Sequence, residues 1–138
     1  MIIKTADDLM KIKDEPGKTY NLINDIDMIG SPWIPFEFTG TLNGNGYSIK
    51  NITVSSSTGN TGFFTVLKGS VNNVVFENLR VSNTSDDTEN IATVGGVCGE
   101  LAGTINGVVI ESGDIYGNVA YVGGVAGSND DTLRNVYA

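Results

Sequence analysis

The sequence has no histidine. That removes the commonest general base and the usual nitrogen ligand for zinc. It has one cysteine, Cys98, so no internal disulfide can form. A lone thiol with no imidazole to activate it is also a weak nucleophile. Proline is scarce at three residues, although glycine is abundant at 18. Linkers usually carry both, whereas many glycines with few prolines suit a fold of tight corners. Cations are few: eight Lys and Arg stand against 16 acids, a net charge of −8. Direct nucleic-acid binding is not expected at this balance. No long apolar run occurs, so no membrane-spanning helix is expected, and Met1 to Lys13 shows no cleavage-like site of a signal peptide. The compartment stays open: a host cytoplasm or the outside of a cell would both suit the chain.

What is present points to one repetitive domain. Val94-Gly95-Gly96-Val97-Cys98-Gly99 returns further on as Val122-Gly123-Gly124-Val125-Ala126-Gly127. The Gly-Gly pairs lack the following lysine and helix of a phosphate loop, so they read as close-packing positions. The charge is uneven. Residues 1–68 carry six lysines and seven acids, a net of −1, and residues 69–138 carry two arginines and nine acids, a net of −7.

Taken in order, Met1 to Lys4 reads as a short strand. Thr5 then caps a short helix, with Asp8 at the capping-box position and Leu9, Met10 and Ile12 on its apolar side. Glu15-Pro16-Gly17 ends it. Thr19 to Met28 reads as one half-buried strand, with Tyr20, Leu22, Ile26 and Met28 inward. Asp25 and Asp27 then face solvent rather than forming a catalytic pair. Trp33, between Pro32 and Pro35, is expected to pack over a corner of the core.

From Phe38 onward the chain aligns with itself. Gly96 to Ile110 matches Gly124 to Ala138 at an offset of 28 and Gly62 to Phe76 at an offset of 34. A fainter copy, Gly40 to Val54, matches Gly62 to Phe76 at an offset of 22. One apolar column holds Ile49, Val71, Ile105 and Leu133, and a second, three residues on, holds Ile52, Val74, Val108 and Val136. Two apolar positions three apart cannot both face inward on a straight strand. The intervening Asn51, Asn73, Gly107 and Asn135 are residue types that accept a left-handed bend, so this column predicts a corner. Strands joined by stacked corners make a solenoid in which each coil pairs in parallel with the next. Cys98 falls in a column with Leu42, Phe64 and Ala126 and reads as a small buried apolar group. The acidic stretch Asn83 to Asn90 reads as an inserted loop.

The two Val-Gly-Gly-Val segments, each followed by Gly/Asp-Thr-Ile/Leu-x-x-Val, resemble the GLUG repeat. The lead-in is also similar: Thr5-Ala6-Asp7-Asp8-Leu9, then Asp25-Ile26-Asp27-Met28, then Gly40-Thr41-Leu42-Asn43-Gly44-Asn45-Gly46. The resemblance implies an all-β fold, a short right-handed parallel β-helix of pectate-lyase-like shape with an N-terminal helical cap. Residues 1–37 would form the cap and lead-in strand and residues 38–138 the repeats, within a single domain. Such repeats occur in bacterial surface and adhesin-like proteins, in relatives of IgA peptidases and in phage-encoded chains. No catalytic residue comes with the resemblance, and no cofactor or metal is expected.

The expected role is a non-catalytic module that binds a protein or a glycan. Val75, Val109 and Tyr137, in a column with Thr53, would form an outward apolar ribbon. Asp86, Asp87 and Glu89 form an acidic loop patch, and Asp130 and Asp131 with Glu100 a second; either is a weak cation candidate. Unpaired strand edges after the last repeat would favour a homodimer or further coils. One alternative is a small phage-encoded inhibitor whose acidic half mimics nucleic acid and blocks a host defence protein. Three coils would span about 14 Å, over which B-DNA carries about eight charges. The third reading is a fragment of a polysaccharide-degrading β-helix. Against it, the columns place no acid pair beside Lys50, Lys68, Arg80 or Arg134.

Overall fold

The computed structural model describes residues 1–129, 132–134 and 136. Strand β1 (Ile2–Ile3) leads into helix α1 (Ala6–Met10) and a 3-10 turn over Lys11–Asp14. The helix starts as the sequence implies. Asp8 N–H donates to Thr5 Oγ1 at 3.2 Å, and Thr5 N–H donates to Asp8 Oδ2 at 3.1 Å. Leu9 and Ile12 are buried.

The stretch expected as one strand from Thr19 to Met28 is two strands, β2 (Thr19–Leu22) and β3 (Ile26–Asp27). Its parity is as expected: Tyr20, Leu22, Ile26 and Met28 are buried, and Ile23 is exposed. The chain turns between Ile23 and Asp25, where Asn24 Nδ2 reaches the Lys4 carbonyl at 3.3 Å. Its halves therefore join different sheets.

The chain continues through β4 (Thr41–Asn43), β5 (Ser48–Ser56), β6 (Asn60–Thr61), β7 (Phe64–Leu67), β8 (Ser70–Asn72) and β9 (Val75–Asn83). A further pass holds β10 (Ala92–Val94), β11 (Cys98–Leu101), β12 (Thr104–Asn106) and β13 (Val109–Ile110). The last holds β14 (Gly113–Gly117), β15 (Ala120–Val122), β16 (Ala126–Asn129) and β17 (Thr132–Arg134). Among the described residues every strand pairing is parallel. A six-stranded sheet runs β1-β2-β4-β8-β12-β17, and a five-stranded sheet holds β3-β5-β9-β13 with β14 also on β9. Two three-stranded sheets run β6-β10-β15 and β7-β11-β16. Among the described residues the fold is all-β apart from α1 and the 3-10 turn.

The offsets of 34 and 28 are the true registers of the later passes. Cys98 pairs with Phe64 on one side and Ala126 on the other, and Ile105 with Val71 and Leu133. The earlier copy is different. Leu42 pairs with Val71, Ile49 with Phe76 and Val54 with Val81, so Leu42 does not share a column with Cys98, nor Ile49 with Val71. The offset of 22 exists one pass earlier, where Thr41 pairs with Thr19 and Leu42 with Tyr20. The cause is unequal pass length. β6 and β7 have no strand counterpart before β4, where an irregular segment meets β7 through Phe38, bridged to Leu67, and through the Phe36 carbonyl, which accepts the Thr65 N–H at 3.0 Å.

Asn51 (φ 61°), Asn73 (φ 55°) and Gly107 (φ 71°) are left-handed, as expected of the column, whose fourth member, Asn135, lies outside the described residues. They serve two different bends, however. Asn73 and Gly107 turn the chain from the six-stranded to the five-stranded sheet. Asn51 kinks β5 internally, and its partner is Asn78 (φ 51°) in β9.

The core runs between the sheets. Trp33 stacks on Phe63 at 4.2 Å and donates its Nε1–H to the Phe63 carbonyl at 2.6 Å. Phe38 stacks on Phe64 at 4.6 Å. Gly40 stacks with Gly69 and Gly103 rather than with Gly62. Ser70 N–H donates to the Gly40 carbonyl and Thr104 N–H to the Gly69 carbonyl, both at 2.9 Å. A Cβ on Gly69 would collide with the Gly40 oxygen, and one on Gly103 with the Gly69 oxygen.

Candidate functional site

The expected ribbon is shorter than the sequence columns imply. Val75 and Val109 do pair in register, but both are half-buried. Their neighbour on β5 is Ser48, not Thr53, which pairs with Arg80. Tyr137 lies outside the described residues. The correction follows from the register of β5. Val54 lies against Val81 rather than Phe76, which replaces a threonine beside Val75 with a serine.

The acidic candidates do not converge. Asp86, Asp87 and Glu89 are exposed in the loop after β9. Asp87 is used by the loop itself. It accepts hydrogen bonds from the N–H groups of Glu89 (2.9 Å) and Asn90 (3.1 Å) and from Asn90 Nδ2 (3.2 Å). The Asn90 and Glu89 amides hold its carboxyl below the ordinary value of 3.8. Glu100 sits half-buried on β11, between Val66 and Ser128. Asp130 and Asp131 lie outside the described residues. Among the described residues no three or more His, Cys, Asp or Glu side chains group as a metal site would require.

Cys98 is buried, and burial pushes its thiol up to about 12. It is a core residue without nucleophilic character at neutral pH.

The outer face of the five-stranded sheet carries two arrangements that the sequence columns concealed. In the first, Lys50 pairs in register with Glu77 and forms an ion pair with it at 3.4 Å. Glu111 lies beside Glu77 on the following pass. A hydrogen bond shared with the Glu77 carboxyl, then that group's charge, raises the Glu111 pKa above its ordinary 4.5. So an acid pair does stand beside a lysine, contrary to the sequence columns. Glu77 is half-buried and Glu111 is exposed.

The second arrangement is a row of polar side chains across successive passes. Asn51 Nδ2 donates to Asp27 Oδ1 at 2.9 Å, and Asn78 Nδ2 donates to Asn51 Oδ1 at 2.9 Å. Arg80 Nε donates to Asn78 Oδ1 at 3.3 Å. The left-handed conformation at Asn51 and Asn78 brings their amides into this line. Asp27 also accepts the Ile29 N–H at 3.0 Å. The Asn51 amide, then the Ile29 N–H, hold its carboxyl below 3.8. Asn51, Asn78 and Arg80 of this row line one wall of a groove of about 480 Å³ whose other wall is the segment from Met28 to Pro32, and Asp27 is bonded to that wall through Asn51. Thr53 completes the polar side, and Ile29 and Pro32 line the opposite one. No sequence motif marks this groove, because its walls meet only when β3, β5 and β9 pair.

The chain resembles two known proteins. It is 42% identical over 81 residues to halomucin of Haloquadratum walsbyi, an alignment that covers 59% of this chain and 1% of that protein. It superimposes on a crystal structure of a protein provisionally described as an immunoglobulin A1 protease from Bacteroides ovatus. That match has a TM-score of 0.65 and 21% identity, and covers 96% of this chain and 54% of the other. The chain thus spans a small fraction of the first protein and about half of the second. The structural likeness is one of fold. No family model matches the sequence.

Proposed function

We propose that this chain is a right-handed parallel β-helix of GLUG-type repeats and serves as a non-catalytic, glycan-binding module of a surface protein. The winding is supported by the pairing order. Each sheet takes strands from successive passes, always in parallel, from Thr19 against Thr41 early in the chain to Phe64 against Cys98 later. Stacked glycines and left-handed asparagines at repeated positions suit such coils. The surface role is supported by the 42% identity to a stretch of a protein named as a mucin.

The single observation that carries the binding role is the groove lined by Asn51, Thr53, Asn78 and Arg80. Its polar wall offers amide, hydroxyl and guanidinium groups, and Ile29 and Pro32 offer apolar surface. Sugars present both kinds of face.

The test is retention of the purified chain on a panel of immobilised acidic and neutral polysaccharides, followed by assay for new reducing ends and unsaturated products. Retention without products is the expected result. Product formation would overturn the non-catalytic reading, and no retention on any polysaccharide would overturn glycan binding.

A further inference from the structure

We propose that the groove selects a carboxylate-bearing sugar, with Arg80 as the anchor for the carboxylate. The sugar part rests on the glycan-binding reading above. The anchor rests on how Arg80 is held.

Arg80 is exposed and forms no ion pair among the described residues, in a chain of net charge −8. Lys18, Lys50 and Lys68 each pair with a glutamate. Asp114 lies in register with Arg80 on β14, yet forms no ion pair with it. The guanidinium is instead tethered through Nε to Asn78, and through Asn78 and Asn51 to Asp27. A tether on Nε leaves the paired Nη edge, which matches the two oxygens of a carboxylate. Side-chain freedom is already reduced before a ligand arrives, which lowers the entropy loss on binding.

The surroundings set the ligand class. Amides of Asn51 and Asn78 and the Thr53 hydroxyl offer donors and acceptors for sugar hydroxyls. Ile29, 73% exposed, offers apolar surface for a pyranose ring face. A volume of about 480 Å³ accommodates a ligand of a few sugar units. The net charge of the chain disfavours a polyphosphate, so one carboxylate among hydroxyls fits better. The same face continues along β5, where Ser55 and Ser56 line a second groove of about 450 Å³ with Ile34 and Pro35.

The experiment compares a glucuronate-containing tetrasaccharide with its carboxyl-reduced, neutral form by calorimetry, on wild type, Arg80→Gln and Asp114→Asn. One charge-assisted bidentate contact predicts about tenfold or greater preference for the acidic form. R80Q should abolish that preference while melting like wild type, since Arg80 is exposed. D114N should strengthen acidic binding by removing a repelling charge. Equal affinity of wild type for the two forms would overturn this inference and leave the glycan reading standing. A preference that survives in R80Q would also overturn it. If neither sugar binds while an acidic peptide binds in an Arg80-dependent way, the ligand class is wrong. Failure of both sugars here, together with no retention on any polysaccharide, would remove both proposals.

Discussion

Asp27 Oδ1 accepts a hydrogen bond from Asn51 Nδ2 at 2.9 Å, and this contact orients the whole polar row beside it. An ionised carboxylate only accepts, so Asn51 must offer its nitrogen there. Its oxygen then faces the Asn78 nitrogen, and the Asn78 oxygen faces Arg80 Nε. Asp27→Asn removes the direction of the row. It should weaken any carboxylate preference of the groove without unfolding the chain. The carboxyl of Asp27 is held low, so its contribution to stability is present above 3.8 and lost as pH falls through the lower folded value. Thermal melts of D27N should therefore fall less steeply below pH 3.8 than those of wild type. Superimposable acid limbs would show that the contact contributes nothing.

Glu111 has the opposite sign. Its pKa is raised by Glu77, so its contribution is full below 4.5 and is lost as pH rises through the higher folded value. At neutral pH two neighbouring carboxylates repel, with Lys50 offsetting part of it. Glu111→Gln should raise the melting temperature at pH 7 and leave it nearly unchanged at pH 4. An equal change at both pH values would mean that the effect is not electrostatic.

The glycine stack separates close approach from backbone conformation. In Gly69→Ala the new Cβ meets the Gly40 carbonyl oxygen, which is itself bonded to Ser70 N–H. Overpacking of this kind costs roughly 1–3 kcal/mol or more. Gly46 has φ +82° with no atom within 4 Å of an added Cβ. Gly46→Ala should show only the left-handed penalty, about 1–2 kcal/mol. Urea unfolding distinguishes them. Equal losses would mean that the stacked passes can move apart at little cost.

Cys98 tests burial directly. With its thiol at about 12, the folded chain should resist thiol reagents at pH 8 and react fully once unfolded. Cys98→Ala should be tolerated better than Cys98→Ser, because Ala126 already occupies the paired position and a buried hydroxyl without a partner costs about 1–3 kcal/mol. Rapid labelling of the native chain would contradict the packing around β11.

The Phe38–Phe64 stack should dominate the core. Phe64→Ala removes a buried ring stacked at 4.6 Å and should cost about 3–5 kcal/mol. A loss below about 1 kcal/mol, read by denaturant unfolding, would show that neighbouring rings refill the space.

Residues alone determined the local rules of this protein. Thr5 and Asp8 announce the helix start, because capping needs only groups close together in the chain. The left-handed requirement is legible at Asn51, Asn73 and Gly107, since it is a property of the residue and its immediate neighbours. The registers at offsets of 34 and 28 are legible too, so Val75 beside Val109 follows from alignment. Tertiary structure alone decided which pass lies against which where their lengths differ. Asn51 and Asn73 look equivalent because both bends demand the same dihedral, yet one kinks a strand and the other joins two sheets. That degeneracy left Lys50 without an acidic neighbour in the sequence columns, whereas pairing places it beside Glu77. The groove was illegible for the same reason. Asp27, Asn51 and Asn78 come from successive passes, and the hydrogen bonds that join them exist only once the register between those passes is set.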